Sequence, residues 1–111
     1  MKTSRRAWVA SFIMALAVGA CHPVAAQTLD VVIRDYKFAP ASVEIKVGQT
    51  VKWTNGEKRT SHSLVFLGSS GFETERLFPG ESWERLFDQP GIYPYHCGPH
   101  PEMTGQVIVT E

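Results

Sequence analysis

Four side chains that bind soft metal ions lie close together in the segment YPYHCGPHPEMTG, residues 93–105. They are His96, Cys97, His100 and Met103. Two residues separate Cys97 from His100 and two separate His100 from Met103, with Pro and Gly around them. One tight loop can therefore point these three side chains at a common centre.

A trigonal shell of two nitrogens and one sulfur needs one more histidine. His96 is adjacent to Cys97 in an extended segment, so its side chain is expected on the opposite face. His62 is the other histidine after residue 26, and the loop before it can bring it to the same end of the domain. The predicted ligands are His62, Cys97 and His100, with Met103 as a weak axial ligand.

This ligand set discriminates among metals. A site with two His, one Cys and a distant axial thioether is typical of blue-copper electron-transfer centres. Zinc more often takes Cys and His in a closed tetrahedral site and has little use for a methionine. The sequence therefore predicts one type 1 copper ion per chain. Metal ligation also explains why a domain with a single cysteine, Cys97, keeps that thiol in an oxidising compartment.

The elements that must hold this site are short β-strands. Segments rich in β-branched and aromatic residues recur with turn residues between them, and none has helical periodicity. About seven strands at this spacing predict an all-β, two-sheet antiparallel sandwich. Segment 71–78 is open between a loop, a helical turn and a strand. The predicted strands are 29–34, 42–47, 50–54, 63–67, 82–87, 91–96 and 105–110.

The N-terminal residues have the pattern of an export signal. A positive head precedes an apolar run of 14 residues, and small residues follow at a cleavage position. That run is shorter than the roughly 20 residues of a membrane-spanning helix. We predict a signal peptide at 1–26 and one domain at 27–111. The alternative is a lipoprotein signal at 1–20, with an acylated Cys21 that holds the domain at a membrane.

Charge excludes some classes of partner. Without residues 1–26 the chain has eight Lys and Arg against eleven Asp and Glu, a net charge of −3. This mild acidity provides no basic stripe for nucleic acid and no polybasic membrane patch. Two charged pairs, Lys58 with Arg59 and Glu73 with Glu75, could each steer a protein partner, and the sequence does not choose between them.

Three stretches carry a resemblance to a known family. YKFAPASVEIKVGQTVKWTN, SHSLVF and GIYPYHCGPHPEMTGQVIV resemble the small cupredoxins, and the resemblance covers nearly all of residues 29–110. The Cys-x-x-His-x-x-Met loop is most similar in length to that of the amicyanins, whereas plastocyanins and pseudoazurins place two more residues between the His and the Met. The resemblance implies a Greek-key sandwich, one copper ion, and the same ligand roles for His62, Cys97, His100 and Met103.

The resemblance also implies a function, which is to shuttle single electrons in a bacterial periplasm. We expect redox proteins as partners, such as a dehydrogenase donor and a cytochrome acceptor, that dock transiently near His100 on a rim formed by Pro99 and Pro101. We expect a monomer that is not an enzyme, because too few histidines remain for further copper centres. The alternative is copper storage or delivery, which needs a site open enough to release the metal.

One residue departs from the family pattern. The family often has Asn directly after the first ligand, where its side chain ties the two ligand loops together. This chain has Ser63, and a hydroxyl reaches less far than an amide. The sequence leaves open how this shorter side chain affects the rigidity of the site and its reduction potential.

Overall fold

The computed structural model describes residues 27–69 and 71–111, which form eight β-strands. No helix long and apolar enough to span a membrane occurs within these two ranges. The predicted signal peptide and the alternative lipid anchor at Cys21 lie outside them. The strands are β1 (Thr28–Arg34), β2 (Lys37–Ala39), β3 (Ser42–Lys46), β4 (Thr50–Asn55), β5 (Val65–Phe66), β6 (Ser82–Leu86), β7 (Gly91–His96) and β8 (Thr104–Thr110).

The strands form two four-stranded sheets, ordered β2-β1-β4-β6 and β3-β8-β7-β5. The predicted all-β, two-sheet Greek-key sandwich is confirmed. The prediction that its sheets are antiparallel is wrong, because β1 runs parallel to β4 and β3 runs parallel to β8. Side chains alternate between faces in both kinds of ladder, so the pattern of a strand does not reveal the direction of its partner.

Five predicted strands differ from the observed ones by one residue at one end, and there are two larger differences. Strand β2 is missing from the prediction because three residues are too few to establish an alternating pattern. The strand predicted at 63–67 shortens to β5. Segment 71–78 is a loop. Two isolated β-bridges pair it with residues 62–65 of the same chain, Leu77 with His62 and Glu73 with Val65.

The core between the sheets is built around Trp53. This residue is fully buried, and its indole Nε1–H donates a hydrogen bond of 3.1 Å to the hydroxyl of Tyr95. Its ring also packs edge-on against Tyr95 and Phe66. Burying an aromatic side chain of this size contributes about 4–6 kcal/mol. Tyr95 lies two residues before Cys97, so the most tightly packed part of the core supports the predicted metal loop.

Parallel pairing of β1 and β4 brings two loops together at one end of the sandwich. The turn after β1 contains Asp35 and Tyr36, both in the left-handed backbone region. The loop after β4 leads towards His62. The backbone N–H of Tyr36 donates a 2.9 Å hydrogen bond to the Glu57 carboxylate, which joins the turn to the loop.

Candidate metal centre

The loop between β7 and β8 is closed by its own backbone. Cys97 directly follows β7, and its N–H donates to the carbonyl oxygen of Met103 at 2.9 Å. The N–H of Met103 in turn donates to the carbonyl oxygen of His100, also at 2.9 Å. These two bonds fold residues 97–103 into a compact loop. Cys97 and Met103 are buried at its base, and His100 is half-buried.

His62 is fixed by contacts from two other segments. Its backbone N–H and carbonyl each bond to Leu77, at 3.1 and 2.7 Å. The side chain of Asn55, fully buried at the end of β4, donates to the carbonyl oxygens of Thr60 and Leu77 and accepts from the N–H of Glu57. Asn55 therefore sets the path of the loop that delivers His62.

The donor atoms of three predicted ligands converge. The Sγ of Cys97 lies 3.5 Å from Nδ1 of His62 and 3.6 Å from Nδ1 of His100, and the three ligand atoms lie within 4.8 Å of one another. Donors that share a metal at bond lengths of about 2.0–2.3 Å stand about 3.5–3.8 Å apart. The cluster therefore has the dimensions of a first coordination shell. Met103 is buried on the same loop, and its backbone bonds to Cys97 and His100 hold it near the cluster.

The two nitrogens of His62 have separate roles. Nδ1 faces the cysteine sulfur, and Nε2 faces the carboxylate of Glu57 at 3.6 Å. Burial lowers the pKa of His62, the nearby His100 lowers it further, and Glu57 opposes both effects. At neutral pH the ring is therefore neutral, with a lone pair available for a metal.

Ser63 ties the two ligand loops together. The side chain is fully buried; its Oγ accepts a hydrogen bond from the N–H of Gly98 at 3.1 Å and donates to the Glu73 carboxylate at 2.9 Å. Because Gly98 has no side chain, there is room beside it for the Ser63 hydroxyl and the Glu73 carboxylate. These three residues together make the link for which a longer Asn side chain would otherwise serve.

Other aromatic and histidine side chains take the positions expected of them. The ring of His96 points away from the cluster, and its Nδ1 donates to the carbonyl oxygen of Cys97 at 2.9 Å. Tyr95 packs below the site, and burial raises its pKa to about 12.

Sequence reasoning missed three residues at this end, Tyr36, Asn55 and Glu57, and it did not predict the contact of Glu73 with Ser63. The ring of Tyr36 lies edge-on to both histidine rings, with centroids 5.8 Å from His62 and 5.0 Å from His100. The one available signal was the Asn-Gly pair at the end of β4, which indicates a turn but not a buried amide.

Comparisons with known proteins agree with this geometry. The cupredoxin-like domain family matches residues 7–109. Amicyanin from Paracoccus versutus is 37% identical over 90 residues, which cover 78% of this chain and 67% of that protein. Amicyanin-alpha from Methylorubrum extorquens is 37% identical over 102 residues, which cover 86% and 85%. A plastocyanin from Scenedesmus fuscus is 41% identical over 73 residues, which cover 57% and 74%.

Solved structures give the same answer. The Cu(I) form of an amicyanin variant superposes with a TM-score of 0.72 at 33% identity, over 79% of this chain and 87% of that one. A two-sheet sandwich with a His, Cys, His cluster at one end, two of the three buried, has the features of the type 1 copper proteins. This chain belongs to the cupredoxin family, and its cofactor is copper. Membership of this family indicates an electron carrier.

Proposed function

We propose that the protein is a periplasmic electron carrier that moves one electron at a time between redox proteins. Its copper ligands are His62, Cys97 and His100, with Met103 as the weak axial donor. The observation that carries the proposal is the convergence of one thiol and two Nδ1 atoms at separations that a shared metal requires. When bound, copper supplies the change of one electron between its cuprous and cupric states.

Each ligand has a distinct task. Cys97 is fully buried, so its sulfur provides a strong covalent contact that water does not reach. His62 is equally buried and anchors the inner side of the site. His100 is half-buried on the loop, and its ring edge is the route by which electrons enter and leave.

Docking takes place around His100. Pro99 and Pro101 bracket the ligand, one half-buried and one exposed, and they provide a stiff apolar rim for a short-lived complex. The partners are redox proteins, a dehydrogenase as donor and a cytochrome as acceptor, and the carrier itself is a monomer without enzymatic activity. The export signal predicted at residues 1–26 supports a periplasmic location.

Burial of the donors favours a carrier over a copper store. A protein that delivers copper must expose its ligands to the recipient, but neither Cys97 nor His62 has solvent-exposed surface. We expect bound copper to exchange slowly with a chelator while the fold persists.

The direct test is the optical and paramagnetic resonance spectrum of the copper-loaded protein. A type 1 site gives an intense blue charge-transfer band from thiolate to Cu(II), and we expect Cys97→Ser to abolish it. His96→Ala is the matched control, because this histidine points away from the cluster and its loss should leave the band in place. A blue band that survives Cys97→Ser would show that the ligand assignment is wrong.

A further inference from the structure

Four basic side chains gather at the metal end of a domain that is acidic overall. Arg34 and Lys37 flank the turn after β1, and Lys58 and Arg59 lie in the loop before His62. All four are exposed. They are half of the eight Lys and Arg that follow residue 26, although the domain carries a net charge of −3. Their position is therefore not a result of general basicity.

Three of these cations line one groove, and the fourth lies beside a neighbouring depression. Arg34, Lys58 and Arg59 line an open groove of about 500 Å³, together with Asp35 and Glu57. Lys37 borders a second depression on the other side of Tyr36. The groove thus begins beside the exposed tyrosine whose ring lies 5.0 Å from the ring of His100.

The basic side chains have no partner in the fold. Across residues 27–69 and 71–111, no Lys or Arg lies within ion-pair distance of an Asp or Glu, and none of these four side chains makes a hydrogen bond. The carboxylate of Glu57 is directed inward instead, towards the N–H of Tyr36 and towards His62. Of the two carboxylates that line the groove, Glu57 makes these inward contacts and Asp35 does not.

The acidic pair Glu73 and Glu75, in segment 71–78, is placed differently. Glu73 accepts the hydrogen bond of Ser63 and so takes part in holding the metal loop. Glu73 is exposed but already has this internal partner, whereas the exposed side chains of Lys58 and Arg59 have none among the described residues. Of the two pairs that could steer a partner, the structure favours the basic one.

We propose that the groove formed by Arg34, Lys58 and Arg59, with Lys37 in the neighbouring depression, docks an acidic patch that surrounds the redox centre of a partner protein. This inference rests on the proposed electron-carrier function and adds the charge of the partner. An acidic patch in the groove would neutralise cations that have no internal partner and would bring its redox centre next to His100. Such attraction accelerates encounter about 10–1,000-fold at low ionic strength and weakens as salt screens the charges.

Electron transfer to two c-type cytochromes of similar potential, one acidic and one basic, tests this proposal by stopped flow. At low salt the wild-type protein should react at least about tenfold faster with the acidic cytochrome, and this advantage should disappear near 1 M salt. Lys58→Glu with Arg59→Glu should remove the advantage. Lys46→Glu with Lys52→Glu makes the same change of net charge on strands β3 and β4 and should preserve most of it.

Two outcomes of this measurement overturn the proposal. One is a faster reaction of the wild-type protein with the basic cytochrome. The other is an equal loss of rate in both double variants, because net charge and not the groove would then explain the effect.

A second measurement separates the docking surface from the electron-carrier function. Hexacyanochromate(III), a redox-inert trivalent anion, should broaden the amide NMR signals of residues 34–37 and 56–60 in the reduced, diamagnetic protein, and much less in the variant with Lys58→Glu and Arg59→Glu. Broadening at these loops without electron exchange with either cytochrome would support the groove and overturn the proposed function. Broadening centred elsewhere would overturn the groove, whatever the electron-transfer rates.

Discussion

The contact between Gly98 and its neighbours makes a sharp prediction for Gly98→Ala. Gly98 does not have a positive φ, so its backbone conformation is open to alanine. On that ground alone the substitution would stabilise the protein by about 0.4–1 kcal/mol, because alanine restricts the unfolded chain. The space around the residue argues the opposite. A Cβ at this position would lie 2.5 Å from Oγ of Ser63 and would overlap the Glu73 carboxylate.

The magnitude follows from what must move. Relieving the overlap displaces Glu73 and shifts Ser63, and overpacking of this kind costs about 1–3 kcal/mol. The hydrogen bond from the Gly98 N–H to the buried hydroxyl is weakened as well, which costs about 0.5–1.5 kcal/mol. The bond from Ser63 to Glu73 adds little, because that carboxylate is exposed. After the gain from alanine is subtracted, the variant should be destabilised by about 0.5–4 kcal/mol.

Urea unfolding of the protein without copper measures this free energy directly, and a double-mutant cycle supplies the control. If Glu73 crowds the new methyl group, Gly98→Ala should cost at least about 1 kcal/mol less in a Glu73→Ala background than in the wild-type protein. The copper-loaded variant should also have a shifted blue band, because the loop that carries Cys97 has moved. A Gly98→Ala protein as stable as the wild type, or costs that simply add, would refute the argument.

Three further substitutions test two residues that support the site and one predicted ligand. Asn55→Ala removes the buried amide that bonds to the carbonyl oxygens of Thr60 and Leu77 and to the N–H of Glu57. The free energy of unfolding, measured with urea, should fall by about 2–4 kcal/mol. An unchanged unfolding transition would contradict this. Tyr95→Phe leaves the indole N–H of Trp53 without its acceptor and should cost about 1–3 kcal/mol at pH 7. Burial raises the pKa of Tyr95 to about 12 in the folded protein, whereas the Tyr95 hydroxyl of the unfolded chain ionises near pH 10. The free energy of unfolding of the wild-type protein should therefore decline as pH rises from about 10 to 12. Tyr95→Phe should lack that part of the decline. His100→Gly should lose the blue spectrum and regain it on addition of imidazole, and no recovery would count against this ligand.

The parts of the site that are local in sequence were predictable. Cys97, His100 and Met103 occupy one loop, so their spacing alone indicates a shared centre. His62 could be chosen because few histidines were available and the strand geometry turns His96 away. The alternating patterns also located most strands, because a half-buried strand has a period of two residues.

The supports of the site were not predictable because they depend on contacts between distant segments. Asn55, Glu57 and Tyr36 meet only because β1 and β4 run parallel, and the sequence pattern does not reveal that direction. Glu73 reaches Ser63 through a loop that lacks a regular pattern. The sequence left the effect of Ser63 open for the same reason, since its link to the metal loop depends on Gly98, a residue of a distant segment.

Each ligand segment is held by bonds that do not involve a metal. Cys97 is tethered to Met103, His62 to Leu77, and the two segments to each other through Ser63 and the N–H of Gly98. These are bonds between protein groups, so they persist when the charge at the centre changes by one unit, and the donors are kept in place in both oxidation states. An electron carrier benefits from this because little has to rearrange during transfer. Two buried polar side chains, Asn55 and Ser63, hold the ligand segments in place through bonds between protein groups. A protein that must release its metal would gain nothing from burying polar groups for this purpose. The placement of buried hydrogen bonds therefore argues for electron transfer independently of the ligands themselves.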